Sequence, residues 1–163
     1  MATYISESMR AAVGRVIETS TSFPIDESDV RRWIVATYFP DAPPRHRWHG
    51  EGGHIDVPEE FNPFAWVLPA GLPMGSAGRD IDQIEHQLGI EGPGLEHGLN
   101  GGMEVHYGTR MRVGETISST TTLDSYVEKQ GRLGLMLLTR TKSEWWNGRD
   151  ELVKTVYNTT IRY

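Results

Sequence analysis

In the stretch Pro40-Asp41-Ala42-Pro43-Pro44-Arg45-His46 a carboxylate and an imidazole stand on one short, proline-bounded segment. Such a pair can share a single water, one group positioning it and the other moving its proton, so Asp41 and His46 are the first candidates for catalysis. A plainer reading stands beside this one. Asp next to Pro commonly builds a turn, and a loop His between Arg45 and Arg47 is commonly solvated. His46, His49 and His54, with Glu51 and Asp56 nearby, also hold the atom types that bind Zn or Fe. Their spacing fits no helical i, i+4 pair and no standard ligand motif, so a polar histidine-containing loop is the favoured reading and no metal is expected.

Other residues suit binding. Phe61, Phe64 and Trp66 could line an apolar channel, although core filling is the favoured reading for at least two of the three. Asn100 and Gly101 lie in a Gly-rich turn after His97; the amide could touch a ligand or stabilise the 98–102 turn, the latter being the commoner use of Asn. His106, between Val105 and Tyr107 in a strand pattern, reads as a packed or cross-strand residue. Arg110 and Arg112 could reach phosphates, or protect a strand edge. There is no GxSxG, GxGxxG or P-loop, and the glycines at 50–53 and 92–94 do not follow a strand and open a helix, so a phosphate cradle is not supported.

The elements that must position these residues fall into three blocks. Residues 13–23, rich in β-branched residues and Thr, predict a strand. Acidic residues at 26–29 then open a helix whose Val30, Trp33, Ile34 and Tyr38 share one face, ended by Phe39-Pro40. Residues 40–102 are irregular. Residues 57–67 suggest a short helix or helix-like turn, and residues 80–88 a helix capped by Asp80, with Ile81, Ile84 and Leu88 on one face and Gly89 at its end. Residues 103–113, 115–127, 133–146 and 152–163 predict four strands in an antiparallel meander, with Asn147-Gly148 a strong hairpin signal. The order predicts an α+β class with one curved antiparallel sheet wrapped around helical elements.

At 163 residues the chain is one domain's worth, taken as residues 1–163. The absence of Cys excludes disulfides, thiolate metal sites and a cysteine nucleophile. A net charge of −6 with dispersed basic residues argues against nucleic acid as a partner. No apolar run has membrane-spanning length and the start lacks a signal pattern, so a cytoplasmic protein without membrane association is the expectation.

Three stretches resemble the N-terminal MaoC-like (FAS1-like) dehydratase family: Val57-Pro-Glu-Glu-Phe-Asn-Pro-Phe-Ala-Trp66; Leu99-Asn-Gly-Gly-Met-Glu-Val-His-Tyr107 continuing to Met111-Arg-Val-Gly-Glu-Thr-Ile117; and Tyr126-Val-Glu-Lys-Gln-Gly-Arg132 through to Ile161-Arg-Tyr163. The resemblance implies a single hot-dog domain, an antiparallel sheet wrapped around a central helix, that pairs as a homodimer or with another hot-dog subunit. It implies water addition to, or elimination from, an enoyl or 3-hydroxyacyl thioester. The coenzyme A or carrier-protein thioester would be substrate, with no cofactor. The family's hydratase signature, Gly-Asp-x-Asn-Pro-aliphatic-His, aligns with residues 40–46, which assigns Asp41 and His46 the catalytic roles; Pro40, Pro43 and Arg45 depart from it. A helix start near Pro58 to Ala65 would supply donors for the thioester oxygen. Asn100 stands where relatives often carry a His, and Phe61, Phe64, Trp66, Gly101 and Arg112 become candidates for holding the substrate. Two other roles suit the same resemblance: a non-catalytic acyl-binding partner subunit, and a hot-dog thioesterase.

Overall fold

Asp26 starts the helix that the sequence marks most clearly. Its carboxylate accepts the Ser28 backbone N–H at 2.8 Å, a bond that is the main cause holding this carboxyl below its ordinary range. The helix, α2 (Glu27–Tyr38), follows α1 (Glu7–Ala12) and β1 (Val16–Thr21). After it come α3 (Arg45–His49), α4 (Gln83–Gln87), β2 (Gly98–Tyr107), β3 (Ile117–Gly131), β4 (Gly134–Asn147) and β5 (Leu152–Arg162). This computed structural model describes residues 3–50, 54–68, 80–132 and 134–163.

All five strands form one antiparallel sheet in the order β1-β3-β4-β5-β2. The class is α+β and the architecture is the hot-dog fold. The sheet is not the simple meander expected from sequence: β3, β4 and β5 follow one another, but β2 pairs with β5 and β1 takes the place beside β3. Strand patterns carry no information on such a non-local exchange. It follows from residues 108–116, which carry the chain past the end of β5, with Gly108 and Thr109 still bonded to Val153 and Leu152.

The inner face of the sheet holds apolar material at both ends. At one end Val30 and Ile34 of α2 pack with Ile25, Val57, Phe61, Met111, Ile117 and Val153. At the other, Met9 and Ala12 of α1 and Leu88 cover Leu123 and Leu137. Helix α1 went unread because Glu-Ser-Met-Arg-Ala-Ala is short and mostly polar, yet Ser6 caps it by accepting the Met9 N–H. Helix α4 is shorter than residues 80–88. Asp80 caps no helix but accepts the Asp82 N–H in a local turn, and its other oxygen lies 2.8 Å from His86 Nδ1. Residues 58–66 make the helix-like turns that the sequence offered beside a short helix, and no helix, because Pro58 and Pro63 lack donors and Asn62 Oδ1 takes the Phe64 N–H. The helix start expected near Pro58 to Ala65 is therefore absent, and with it that source of oxyanion donors. No helix among the described residues is long and apolar enough to cross a membrane.

One polar cluster lies inside this packing. Arg162, 2% exposed, donates to both oxygens of the fully buried Glu85, to Asp82 at 2.8 Å and to Thr139 at 2.8 Å. Tyr126 donates to the same Glu85; burial first, then this bond, pushes its hydroxyl pKa well up. The cluster joins α4 to β3, β4 and β5. Removing either partner of the Arg162–Glu85 pair breaks a buried ion pair, which costs about 3–5 kcal/mol. Arg162→Met and Glu85→Leu should each lower stability by roughly that amount in urea unfolding, and the double variant should lose clearly less than the sum. Additive losses would show that the two residues do not act as a pair.

Candidate functional site

The chain leaves α2 through Phe39 and turns, with the Asp41 N–H bonded to the Tyr38 carbonyl at 2.8 Å. Pro44 then caps α3, a five-residue helix that the prolines before it and a mostly polar composition hid from pattern reading. Asp41 and His46 are both exposed, and no hydrogen bond joins their side chains. His46 lines a notch of about 110 Å³ with Ile34, Arg47, Asp56 and Pro58. Asp41 is not among its walls. The carboxylate sharing the notch with His46 is Asp56, which sequence reading placed only in a possible metal cluster. Asp56 directly precedes Val57, where the stretch that resembles the family begins, so it lay just outside the quoted motif. Glu51 lies outside the described residues. Among the described residues no group of three His, Asp or Glu side chains converges on one point.

The aromatic candidates separate. Phe61 is buried and meets Trp33 edge-on at 6.3 Å, so it is core. Trp66 is 64% exposed. Phe64 meets Trp145 edge-on at 4.9 Å and walls a cleft of about 540 Å³ on the inner face of β1, β3 and β4.

Asn100 and Gly101 sit in a bulge of β2. Asn100 Oδ1 accepts the Gly102 N–H at 2.9 Å, so the amide oxygen stabilises its own turn. A Cβ at Gly101 would lie 2.9–3.0 Å from Thr159 and Ile161 atoms, so glycine is required where β2 crosses close to β5. His106 is not packed inward. It is exposed, 2.7 Å from Glu104 and edge-on to the Tyr157 ring across the strand pair. Arg110 and Arg112 lie beyond the end of β2 rather than in a strand; Arg110 faces Glu59 at 3.6 Å and Arg112 is exposed.

β2 has no second neighbour among the described strands. It is ten residues long, and Leu99, Met103 and Tyr107 are all more than 40% exposed. A long, open, partly apolar edge is an adhesive surface.

Lys154 was missed altogether. It stands opposite Trp145 with its ammonium 4.4 Å from that ring's centroid and 5.3 Å from that of Tyr107, and its residue is 5% exposed. Burial lowers its pKa below the ordinary lysine value, partly offset by Glu60 and Glu59. The aromatic faces replace some of the lost hydration.

The family model described as FAS1-like, dehydratase domain region, matches residues 11–156. No curated protein matches the sequence. Among solved structures, the ChsH1–ChsH2 complex of Mycobacterium tuberculosis shares 20% identity over 90% of this chain and 83% of that one, with a TM-score of 0.61. A C-terminally truncated HadBC (3R-hydroxyacyl-ACP dehydratase) complex from the same organism shares 13% over 89% and 96%, TM-score 0.52. A MaoC-like dehydratase from Rhodospirillum rubrum shares 13% over 93% and 92%, TM-score 0.50. At these identities the likeness is one of fold.

The lowered Lys154 pKa has a sign that can be checked. Between its folded value and the ordinary 10.5 the unfolded chain holds a proton that the folded chain lacks, so stability rises with pH there. Measured against Lys154→Met, which cancels the tyrosine titrations, the wild-type protein should gain stability as pH climbs toward 10.5. Parallel curves would mean that Lys154 titrates like a surface lysine.

Proposed function

Because the chain belongs to the FAS1-like dehydratase domain-region family, we propose that it is one subunit of a hot-dog dimer that adds water to an enoyl thioester or eliminates it from the 3-hydroxyacyl form. The observation that carries this reading is the extent of the family match, residues 11–156. That range includes the Asp41–His46 stretch, the Asn100–Gly102 bulge and the Arg112–Glu115 turn. The open β2 edge supports the dimer, since strand pairing across it with a second hot-dog subunit, identical or not, would satisfy its unpaired groups.

The chemistry asks little of the protein. In hydration the water oxygen bonds to Cβ as the Cα–Cβ π bond breaks, one water proton passes to the base, and a proton is delivered to Cα. The thioester oxygen carries the negative charge in between and must be held by donors. His46, with access to solvent and to the notch it shares with Asp56, is the group we assign to proton transfer; Asp41, the carboxylate of the family signature, orients the water or the imidazole. The substrate's carrier is coenzyme A or a carrier protein, and no cofactor is required.

A second reading has a specific observation behind it. With Asp41 and His46 both exposed and unbonded to one another, the chain also suits a non-catalytic, acyl-binding subunit whose partner supplies the acid and base.

Purified protein incubated with crotonyl-CoA and longer enoyl-CoAs should lose the enoyl absorbance, and sedimentation should give a species of twice the chain mass. Absence of turnover by a well-folded dimer would favour the binding-subunit reading, and release of free CoA would move the chemistry to the thioester carbonyl. Where turnover occurs, His46→Ala should lower the rate by roughly a hundredfold or more, the usual scale for an acid–base group. Asp41→Asn and Asp56→Asn then identify the working carboxylate: the one whose loss is comparable to that of His46→Ala is the partner of the imidazole.

A further inference from the structure

Strand alternation turns Ile117 and Leu123 of β3 into the core, both fully buried, and the same period of two turns Ser119 and Thr121 onto that inner face between them. Trp145 and Ser143 of β4 stand directly opposite these two residues. An inner sheet face is ordinarily apolar along its length. Here its middle is polar and opens into the 540 Å³ cleft, walled on one side by Phe64 and on another by Glu18 and the hydroxyl residues of β1. Thr121 Oγ1 and Ser143 Oγ lie 2.7 Å apart, which uses one site on each hydroxyl and leaves another facing the cleft. The Ser119 hydroxyl and the Glu18 carboxylate have no hydrogen-bond or ion-pair partner among the described residues.

A saturated hydrocarbon chain filling this space would strip water from these groups and return no hydrogen bond. A ligand with hydroxyl groups on an apolar ring would satisfy both halves of the lining: the hydroxyls of β1, β3 and β4 exchange bonds with its oxygens, and Phe64 with Trp145 contacts its ring. Glu18 can only accept, so it selects donors and opposes an anionic group. We infer that the cleft is the subsite for the acyl portion of the substrate, and that this portion is a hydroxylated, ring-bearing group rather than a plain alkyl chain. The inference rests on the thioester reading for the carrier to which that group is attached.

Three trans-2-enoyl thioesters test it by titration calorimetry on the full chain: caffeoyl-CoA, cinnamoyl-CoA and 2-octenoyl-CoA, with free CoA as reference. Caffeoyl-CoA should bind roughly tenfold or more tightly than octenoyl-CoA, the scale of one or two satisfied hydrogen bonds, with cinnamoyl-CoA between them. Thr121→Val combined with Ser143→Ala should abolish that preference, caffeoyl-CoA losing more affinity than octenoyl-CoA. Should this pair disturb the sheet, Glu18→Gln on the exposed edge strand should by itself weaken caffeoyl-CoA binding severalfold more than octenoyl-CoA binding. Octenoyl-CoA binding as tightly as caffeoyl-CoA, or variants that leave the order unchanged, would overturn the assignment of the cleft and leave the thioester reading intact. No binding of any of the three beyond that of free CoA would sink the thioester reading, and this inference with it.

Discussion

The contact on which the arrangement most depends is the one between Arg162 and Glu85. Each is a residue that water would hold strongly, and each is almost wholly buried, so neither would be stable there without the other. Five donor–acceptor contacts surround the guanidinium, from Ile81, Asp82, Glu85 and Thr139, while its Nε keeps no partner among the described residues. The geometry is therefore fixed from several directions at once. It locks α4, a helix of five residues that could not persist alone, against the end of β5. Arg162 is also the register partner of Gly98, where β2 begins. The position of the helix, the end of the central strands and the start of the open edge strand are thus set by one cluster.

How far this was readable from sequence depends on whether a signal is local. Helix α2 carries its own instructions: a capping Asp26, acidic first-turn residues and Val30 and Ile34 one turn apart. The β4–β5 hairpin likewise declares itself at Asn147-Gly148, with Asn147 Oδ1 accepting from Arg149 and Glu151. Strand existence was legible throughout the second half. Strand order was not, because pairing β2 with β5 instead of β3 is decided by which faces can be covered together. Arg162 near the end of a strand resembles a solvated terminus, and Glu85 in a mostly polar pentapeptide resembles surface helix. Only their meeting, 77 residues apart in the chain, makes both buried.

The candidate site shows the same division. The resemblance located the stretch holding Asp41 and His46, and nothing in the stretch announced that it would close into α3 and bring His46 beside Asp56. Phe61, Phe64 and Trp66 look equivalent in sequence and end in core, cleft wall and solvent, because consecutive turns rotate each to a different side. Lys154 was invisible for the reason Arg162 was: a lysine in a strand of alternating residues is normally read as outward-facing.

The polar middle of the inner face adds a constraint that stability alone would not select. Ser119, Thr121 and Ser143 occupy positions where Val or Leu would join the two apolar clusters into a continuous core and bury more apolar surface. Placing hydroxyls there separates the cluster under α2 from the cluster under α1 and α4, and leaves the two ends of the sheet joined mainly by backbone pairing. The buried Arg162 cluster and the stacked Lys154 then carry part of the task of holding helices and strands together that a larger apolar core would otherwise perform. A fold that gives up core volume in its middle while keeping strong polar ties beside it has the construction of a container, with rigid sheet walls around a space shaped for something other than its own side chains.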